Sequence, residues 1–473
     1  MVTAQLFLET TQQLKKSPIV IGEVFSKKLS DNLKVSKVRS SSLSRESLDK
    51  LSKEELIEII YKQEGAKDQL KLFLQKQLGS LDDDRKKSRK PRDISKFPKR
   101  RILLKFLYLG WNFDGYACQQ NTSNTIEHHL FEALKKCALI EDRQTSKYHV
   151  CGRTDKGVSA FEQVVSIDVR SRIQPADQLT RIDNEMTYCS LLNRALPKQI
   201  RVISWMPLKD DWYSARFHCT ERSYQYFFPR GDLNIEKMQE SCRYLQGVHD
   251  FRNFCRMDIR NGVVNFKRTI EAAEIRIIEV NHEGQTPFDT FCLEIKGISF
   301  LRQMIRAIFS VLLRVGKEKE SPCVVKELFD IENVKTRPDY AFAAEIPLNL
   351  FKTKFREEEI DEQTAGILNN WVYEEESLGE VIRCLQEFWC LEKMKSTMLY
   401  EMIKVLQQNY SQTFKEKSEI FGQALGLSFE IKRPHPKKLL DRQRGLLSLE
   451  ERVEHFKKKG RITVSEIKSK SKF

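Results

Sequence analysis

The sequence predicts a mixed fold of the α/β or α+β kind for a central region of about 250 residues. Three observations carry this. Strand, helix and strand signals follow one another between Ile102 and Val169. Two further stretches, Arg268 to Ile278 and Phe288 to Lys296, read as paired strands of a hairpin. Between Phe300 and Val315 the pattern switches to a helical period, with Phe300, Met304, Ile308, Val311 and Leu312 making one apolar stripe.

In chain order, residues 1–47 are rich in Ser and Lys with weak periodicity and are expected to be disordered. Across 48–80, Leu48, Leu51, Leu56, Ile59, Leu70, Leu74 and Leu78 recur at helical steps, which fits either a short coiled coil or an amphipathic helix packed on its own chain. A basic linker, 81–100, follows; residues 85–101 hold ten Lys or Arg against one Asp. That composition fits a solvated spacer, phosphate contacts or a nuclear import signal.

The folded core is expected over 101–356. Ile102 to Leu109 reads as a strand. Asn124-x-x-Glu127 reads as a capping box opening a helix to about Cys137. Phe161 to Val169 is a strand, and residues 171–187 a polar insertion. Thr187 to Leu196 is a helix stopped by Pro197, and Ile200 to Met206 a strand. Ser223 to Phe228 alternates, putting Tyr224 and Tyr226 on one face. Gln246 to Phe254 reads as a loop after a helix. Arg302 and Arg306, four apart on the helix 300–315, are expected to share a face. Ala343 to Phe355 closes the core. Residues 357–473 form a helical extension, acidic at first and basic from 432. No internal repeat shows at a fixed period.

The formal net charge of +15 and a pI near 9.2 point to a polyanionic partner, nucleic acid or an acidic membrane surface. No apolar run is long enough to span a bilayer, and no secretory or mitochondrial leader is expected at the N-terminus. Eleven cysteines form no CxxC pair and eight histidines are scattered, so reduced thiols and no zinc site are expected.

The stretch with most chemistry is Cys151-Gly-Arg-Thr-Asp-Lys-Gly-Val-Ser-Ala160. Asp155 stands between Arg153 and Lys156, whose charges favour its ionised form, and Gly152 and Gly157 bracket a tight loop. On spacing alone, a solvated surface turn accounts for it as well as an active-site loop does.

The string Gly152-Arg-Thr-Asp-x-Gly-Val158 resembles the active-site loop of the TruA family of tRNA pseudouridine synthases. Further landmarks follow the same family's order: Asn112-Phe-Asp-Gly-Tyr116, Ala215-Arg-Phe217, Arg222-Ser-Tyr-Gln-Tyr226, His249-Asp-Phe-Arg-Asn-Phe254, Phe300-Leu-x4-Arg306 and Ala344-Glu-Ile-Pro-Leu348. The resemblance implies an α+β core, a mixed and mainly antiparallel sheet flanked by helices, with two ferredoxin-like halves around a cleft. It implies that uridine is isomerised to pseudouridine with Asp155 as the catalytic carboxylate, and that Arg306 pairs with it. Tyr224 would face the uracil, and Arg153 would fill the gap left by the flipped base. The isomerisation involves no redox change and no hydrolysis, so no metal or cofactor is expected. Two positions depart from the family: Glu162 replaces a glycine, and Gln303 stands where a histidine is frequent.

Within the family, His249-Asp-Phe-Arg-Asn-Phe-Cys-Arg-Met-Asp258, Asn261 to Ile270, and the tail around Leu439 and Arg452 to Ile462 are similar to the eukaryotic branch acting on tRNA positions 38 and 39. The expected partner is the tRNA anticodon stem-loop, with no membrane. By analogy the chain is expected to be a homodimer, in the nucleus and cytoplasm. A sister branch with other targets and a non-catalytic tRNA chaperone stand as alternatives.

Overall fold

A computed structural model describes residues 94–174, 184–208, 212–259, 265–279, 287–356, 371–413, 437–442 and 447–458. The expectations for 1–47, 48–80 and most of the basic linker lie outside these residues. The strands are β1 (Lys99–Tyr108), β2 (His149–Val150), β3 (Ser159–Arg170), β4 (Ile200–Pro207), β5 (Cys219–Pro229), β6 (Gly247–Asp250), β7 (Lys267–Glu279), β8 (Thr290–Gly297) and β9 (Leu348–Phe355). The helices are α1 (Ile126–Lys136), α2 (Tyr188–Ala195), α3 (Ile235–Leu245), α4 (Met304–Gly316), α5 (Val324–Phe329), α6 (Glu375–Thr413) and α7 (Leu449–Lys458).

The strands form one sheet in the order β4-β1-β3-β9-β5-β8-β7-β6, with β2 also on β3. It is antiparallel throughout except where β3 runs parallel to β9, through Ser159↔Asn349 and Ala160↔Leu350. That parallel seam joins two βαββαβ units. In the first, β1-α1-β2-β3-α2-β4, the spatial strand order is fourth, first, third, second; in the second, β5-α3-β7-β8-α4-β9, it is the same. The two halves share no readable sequence repeat because their common feature is strand pairing, which many apolar sequences satisfy.

The core lies between the sheet and its helices. It takes in Phe106, Trp205, Tyr226, Phe228, Leu293 and Ile295 from strands, and Leu130, Leu134, Leu192, Ile308, Phe309 and Leu312 from helices. Phe309 stacks on Tyr226 with ring centroids 3.9 Å apart. Burying one such side chain contributes roughly 1.5–3 kcal/mol, so α4 is fixed firmly to β5.

Several boundaries differ from the sequence reading, each for a local reason. The helix α1 is capped by Thr125, whose hydroxyl accepts from the His128 N–H, and not by Asn124, whose amide donates to the Asn112 carbonyl. The expected partner Glu127 is instead buried, bound to the Cys118 N–H and to Arg143. Residues 247–250 are not loop but a short strand on β7. The last residues of the basic run belong to β1: Arg100 is buried against Glu185 and Arg101 against Asp168. The helix expected from Phe300 begins only at Met304, because Gln303 adopts a left-handed conformation with φ 58°. Arg302 therefore lies outside the helix and does not share a helical face with Arg306.

Candidate active site

Residues 151–158 connect β2 to β3, so the loop sits where the first half meets β9 of the second. Its shape is fixed by many weak bonds. The Cys151 N–H donates to the Val164 carbonyl at 2.9 Å, Tyr116 N–H to Thr154 O at 3.1 Å, Gly157 N–H to Phe113 O at 3.2 Å, and Val158 N–H to Asp155 O at 3.2 Å. The buried Gln163 amide grips Gly152 from both sides, donating to its carbonyl at 2.7 Å and accepting from its N–H at 3.3 Å. It also donates to the Tyr108 hydroxyl, which bonds Thr154 Oγ1 at 2.7 Å. Arg222 donates from Nη2 and Nε to the Cys151 carbonyl, and from Nη1 to the Ile298 carbonyl, tying the loop to the second half.

The two bracketing glycines are not equivalent. Gly157 has φ +78°, and a Cβ there would meet Glu345 Cγ at 2.5 Å. A Cβ on Gly152 would meet nothing closer than 3.8 Å, so that position has room for a side chain. A glycine outside the motif matters more: Gly115, at φ +102°, passes against the Asp155–Lys156 backbone.

Asp155 is half-buried. Burial pushes its carboxyl above the usual carboxylate range, against the opposing pull of Arg306, Arg302 and Arg256; Glu345 adds to the upward push. The expectation that Arg153 and Lys156 hold it ionised is therefore replaced by a different picture. Lys156 turns away to Asp114 at 2.8 Å, and Arg153 is exposed, with no hydrogen bond or ion pair among the described residues. The cations acting on Asp155 arrive from distant segments, which no local reading finds.

Arg306, 8 % exposed, lies in the first turns of α4. Its Nε donates to the Ala343 carbonyl at 2.6 Å and its Nη2 pairs with Glu345 Oε2 at 2.9 Å. Among the described residues it makes no direct ion pair with Asp155; its charge acts on that carboxyl through space. Tyr224 comes from β5. Its ring meets Phe300 edge-on at 5.1 Å, its hydroxyl lies 3.9 Å from the place a Gly152 Cβ would occupy, and burial pushes its phenol up, so it stays neutral. Tyr226, on the same face, is core: its hydroxyl donates to the Ala344 carbonyl.

Asp155, Tyr224 and Arg306 thus converge from three elements, one of the first half and two of the second, and Arg153 lies beside them at the surface. Sequence reasoning missed Tyr108, Gln163, Arg222 and Glu345. Arg222 and Glu345 lie inside recognised motifs, yet their partners are far along the chain. The arrangement offers one carboxylate in a low-dielectric recess, an aromatic wall and flanking guanidinium groups. That suits an anionic polymer and a reaction in which a single acid group works on a sugar or base.

The family model described as tRNA pseudouridine synthase matches residues 241–356. A tRNA pseudouridine(38/39) synthase of Bos taurus is 40% identical over 394 residues, covering 78% of this chain and 79% of that protein. One of Homo sapiens is 37% identical over 400 residues, with 80% of each chain covered. A tRNA pseudouridine synthase A of Methanosarcina mazei is 33% identical, covering 46% of this chain and 71% of its own. The chain belongs to the TruA family of tRNA pseudouridine synthases.

Proposed function

We propose that this chain isomerises uridine to pseudouridine at positions 38 and 39 of the tRNA anticodon stem, with Asp155 as its catalytic residue. The observation that carries the reading is the Asp155 recess: a half-buried carboxyl influenced by Arg306, Arg302 and Arg256, with Tyr224 beside it. The site numbering of the tRNA rests on the names of the bovine and human relatives.

The isomerisation breaks the bond from C1′ to N1 and makes one from C1′ to C5; the C5 proton leaves and N1 gains one, so composition is unchanged. Two routes use the same carboxylate: attack on C1′, or removal of a proton from C2′. Both require Asp155 ionised, which the three arginines favour. The Tyr224 ring offers a flat, neutral wall against which a detached uracil can turn without water. In this reading Arg153, exposed in the loop, stacks in the gap left by an extruded nucleotide and binds its phosphate. Replacing Asp155 by Ala and mapping pseudouridine at positions 38 and 39 tests the reading. Product should vanish while tRNA binding persists; product from the variant would remove Asp155 from the role.

The same reading has the chain act as a homodimer. Its support is α6, which between residues 389 and 406 exposes Trp389, Met394, Met398, Leu399, Met402, Val405 and Leu406, each more than half accessible. Nuclear and cytoplasmic residence is part of the proposal, resting on the basic run at 85–101. No described helix is long and apolar enough to cross a membrane.

A further inference from the structure

Residues 437–442 and 447–458 belong to the C-terminal extension, yet both stretches pack on the catalytic core. Leu439 is 1% exposed, and its N–H donates to Glu320 Oε1 at 2.7 Å. Arg314 donates to the Lys437 carbonyl at 3.1 Å, and Arg442 donates to the Asp339 carbonyl. Leu449, which opens α7, packs against the same hydrophobic core, so the helix that carries Arg452 is seated on it as well.

At the turn 252–256 the charge of Arg452 acts together with those of two arginines of the core, Arg337 and Arg256. Arg337 is 8% exposed; its guanidinium lies 4.4 Å from the Phe342 ring centroid and 4.8 Å from that of Tyr340, and its buried Nε has no hydrogen-bond partner among the described residues. The Tyr340 hydroxyl donates to the Asn253 carbonyl at 2.6 Å, which sets Arg337 beside the turn. Arg256, exposed, follows that turn and donates its N–H to the Arg302 carbonyl at 3.0 Å. None of Arg256, Arg337 and Arg452 forms an ion pair among the described residues. The nearby acids are engaged elsewhere: Asp250 with Arg252, Asp258 with Arg302, Glu451 with the Ser448 N–H, and Glu450 facing Arg252 and Lys335. The charges of Arg337 and Arg256 reinforce burial in lowering the proton affinity of Arg452. Three like charges with no ion-paired acid among the described residues mark a place for an anion.

Arg256 is joined to the active site through the Arg302 carbonyl, two residues ahead of the helix that carries Arg306, and its charge acts on Asp155. We propose that Arg256 and Arg452, backed by the buried charge of Arg337, bind phosphate of the RNA backbone next to the target nucleotide, the C-terminal helix supplying one of the contacts. This rests on the reading above and extends it: a segment outside the motifs of residues 112–348 completes the substrate site.

The test is anisotropy titration of full-length protein with a labelled anticodon stem-loop RNA over a salt series. It compares wild type, Arg452→Gln and Arg452→Lys, with pseudouridine formation by the wild type followed in parallel. Arg452→Gln should weaken binding about threefold to tenfold and flatten the slope of log K against log salt by about 0.7–0.9, the value of one phosphate contact. Arg452→Lys, which keeps charge but loses the Nε bond to the Leu447 carbonyl, should recover most of both. Unchanged affinity and slope in Arg452→Gln overturn the inference, and so does a Lys variant as weak as the Gln variant, since the arginine would then act only on the helix. Inorganic phosphate arms complete it: thermal protection by phosphate that Arg452→Gln abolishes, with RNA binding untouched, assigns the site to free phosphate and overturns the RNA assignment. A wild type that binds RNA through Arg452 yet makes no pseudouridine overturns the reaction and leaves the site.

Discussion

Arg306 Nη2 lies 2.9 Å from Glu345 Oε2, and this pair stands between the helix α4 and the loop that carries Asp155. Glu345 also closes over Gly157, so a single carboxylate orients the arginine and limits the loop. It raises the proton affinity of Asp155 while Arg306 lowers it. The proton affinity of Asp155 is therefore set by burial and by opposed charges, Glu345 against Arg306, Arg302 and Arg256, all delivered by the second half of the molecule.

Glu345→Gln keeps the shape and removes the charge. The acid limb of the pH–rate profile should move to lower pH, because one source of upward pressure on Asp155 is gone, and kcat should fall about tenfold as Arg306 loses its anchor. Arg306→Ala should cost on the order of 10²-fold in kcat. An acid limb that stays in place in Glu345→Gln would show that Glu345 does not act on Asp155.

Asp155 also carries a stability signature. Its proton affinity is raised on folding, so the native state holds that proton more tightly than the unfolded chain. Its ionisation subtracts stability as pH rises through the folded pKa, and nothing is subtracted below the unfolded value. Asp155→Asn should therefore raise Tm near about pH 7, by roughly 2–4 °C for each kcal/mol relieved, and leave it unchanged near about pH 3. Equal shifts at both pH values in thermal melts would refute the electrostatic cause.

Gly157→Ala places a methyl at positive φ against Glu345 Cγ. Strain of about 1–3 kcal/mol is expected, with turnover falling more than RNA affinity, because the displaced groups are Asp155 and Glu345. Gly152→Ala, which meets only ordinary contacts, is the control. Urea unfolding of both variants gives the comparison, and equal destabilisation would contradict the geometry.

Gln163→Leu strips the Gly152 carbonyl and N–H of their partner inside the protein. A loss of about 2–4 kcal/mol follows from two unpaired polar groups, together with a large fall in kcat. Gln163→Glu, which can still accept from the Gly152 N–H, should lose less. Denaturant melts and single-turnover rates read both effects; a Leu variant as stable as wild type would mean that water replaces the amide.

Leu399→Lys with Leu406→Lys puts charge on the exposed stripe of α6. If that stripe joins two copies, the light-scattering mass should fall from two chains to one without change in the circular dichroism spectrum. A wild-type mass of one chain disposes of the dimer at once.

The sequence by itself determined most of the elements and their kind, though not the short strand 247–250 or the helix 324–329. The apolar stripe of α4, the alternation of β5 and the hairpin of β7 and β8 are periodic over enough residues to be read locally, and the order of motifs identified the family. It could also single out Asp155, because glycine and charge crowd into one short loop. Only the tertiary structure decided which charges surround that carboxyl. Lys156, adjacent in sequence, is spent on Asp114, while Arg306, Arg302 and Arg256 reach Asp155 from the far half. The start of α4 was likewise hidden, since a left-handed Gln303 leaves no compositional trace. Sequence spacing reports on neighbours within a few residues, whereas electrostatic interaction falls with distance in space, and here the parallel pairing of β3 with β9 sets those distances.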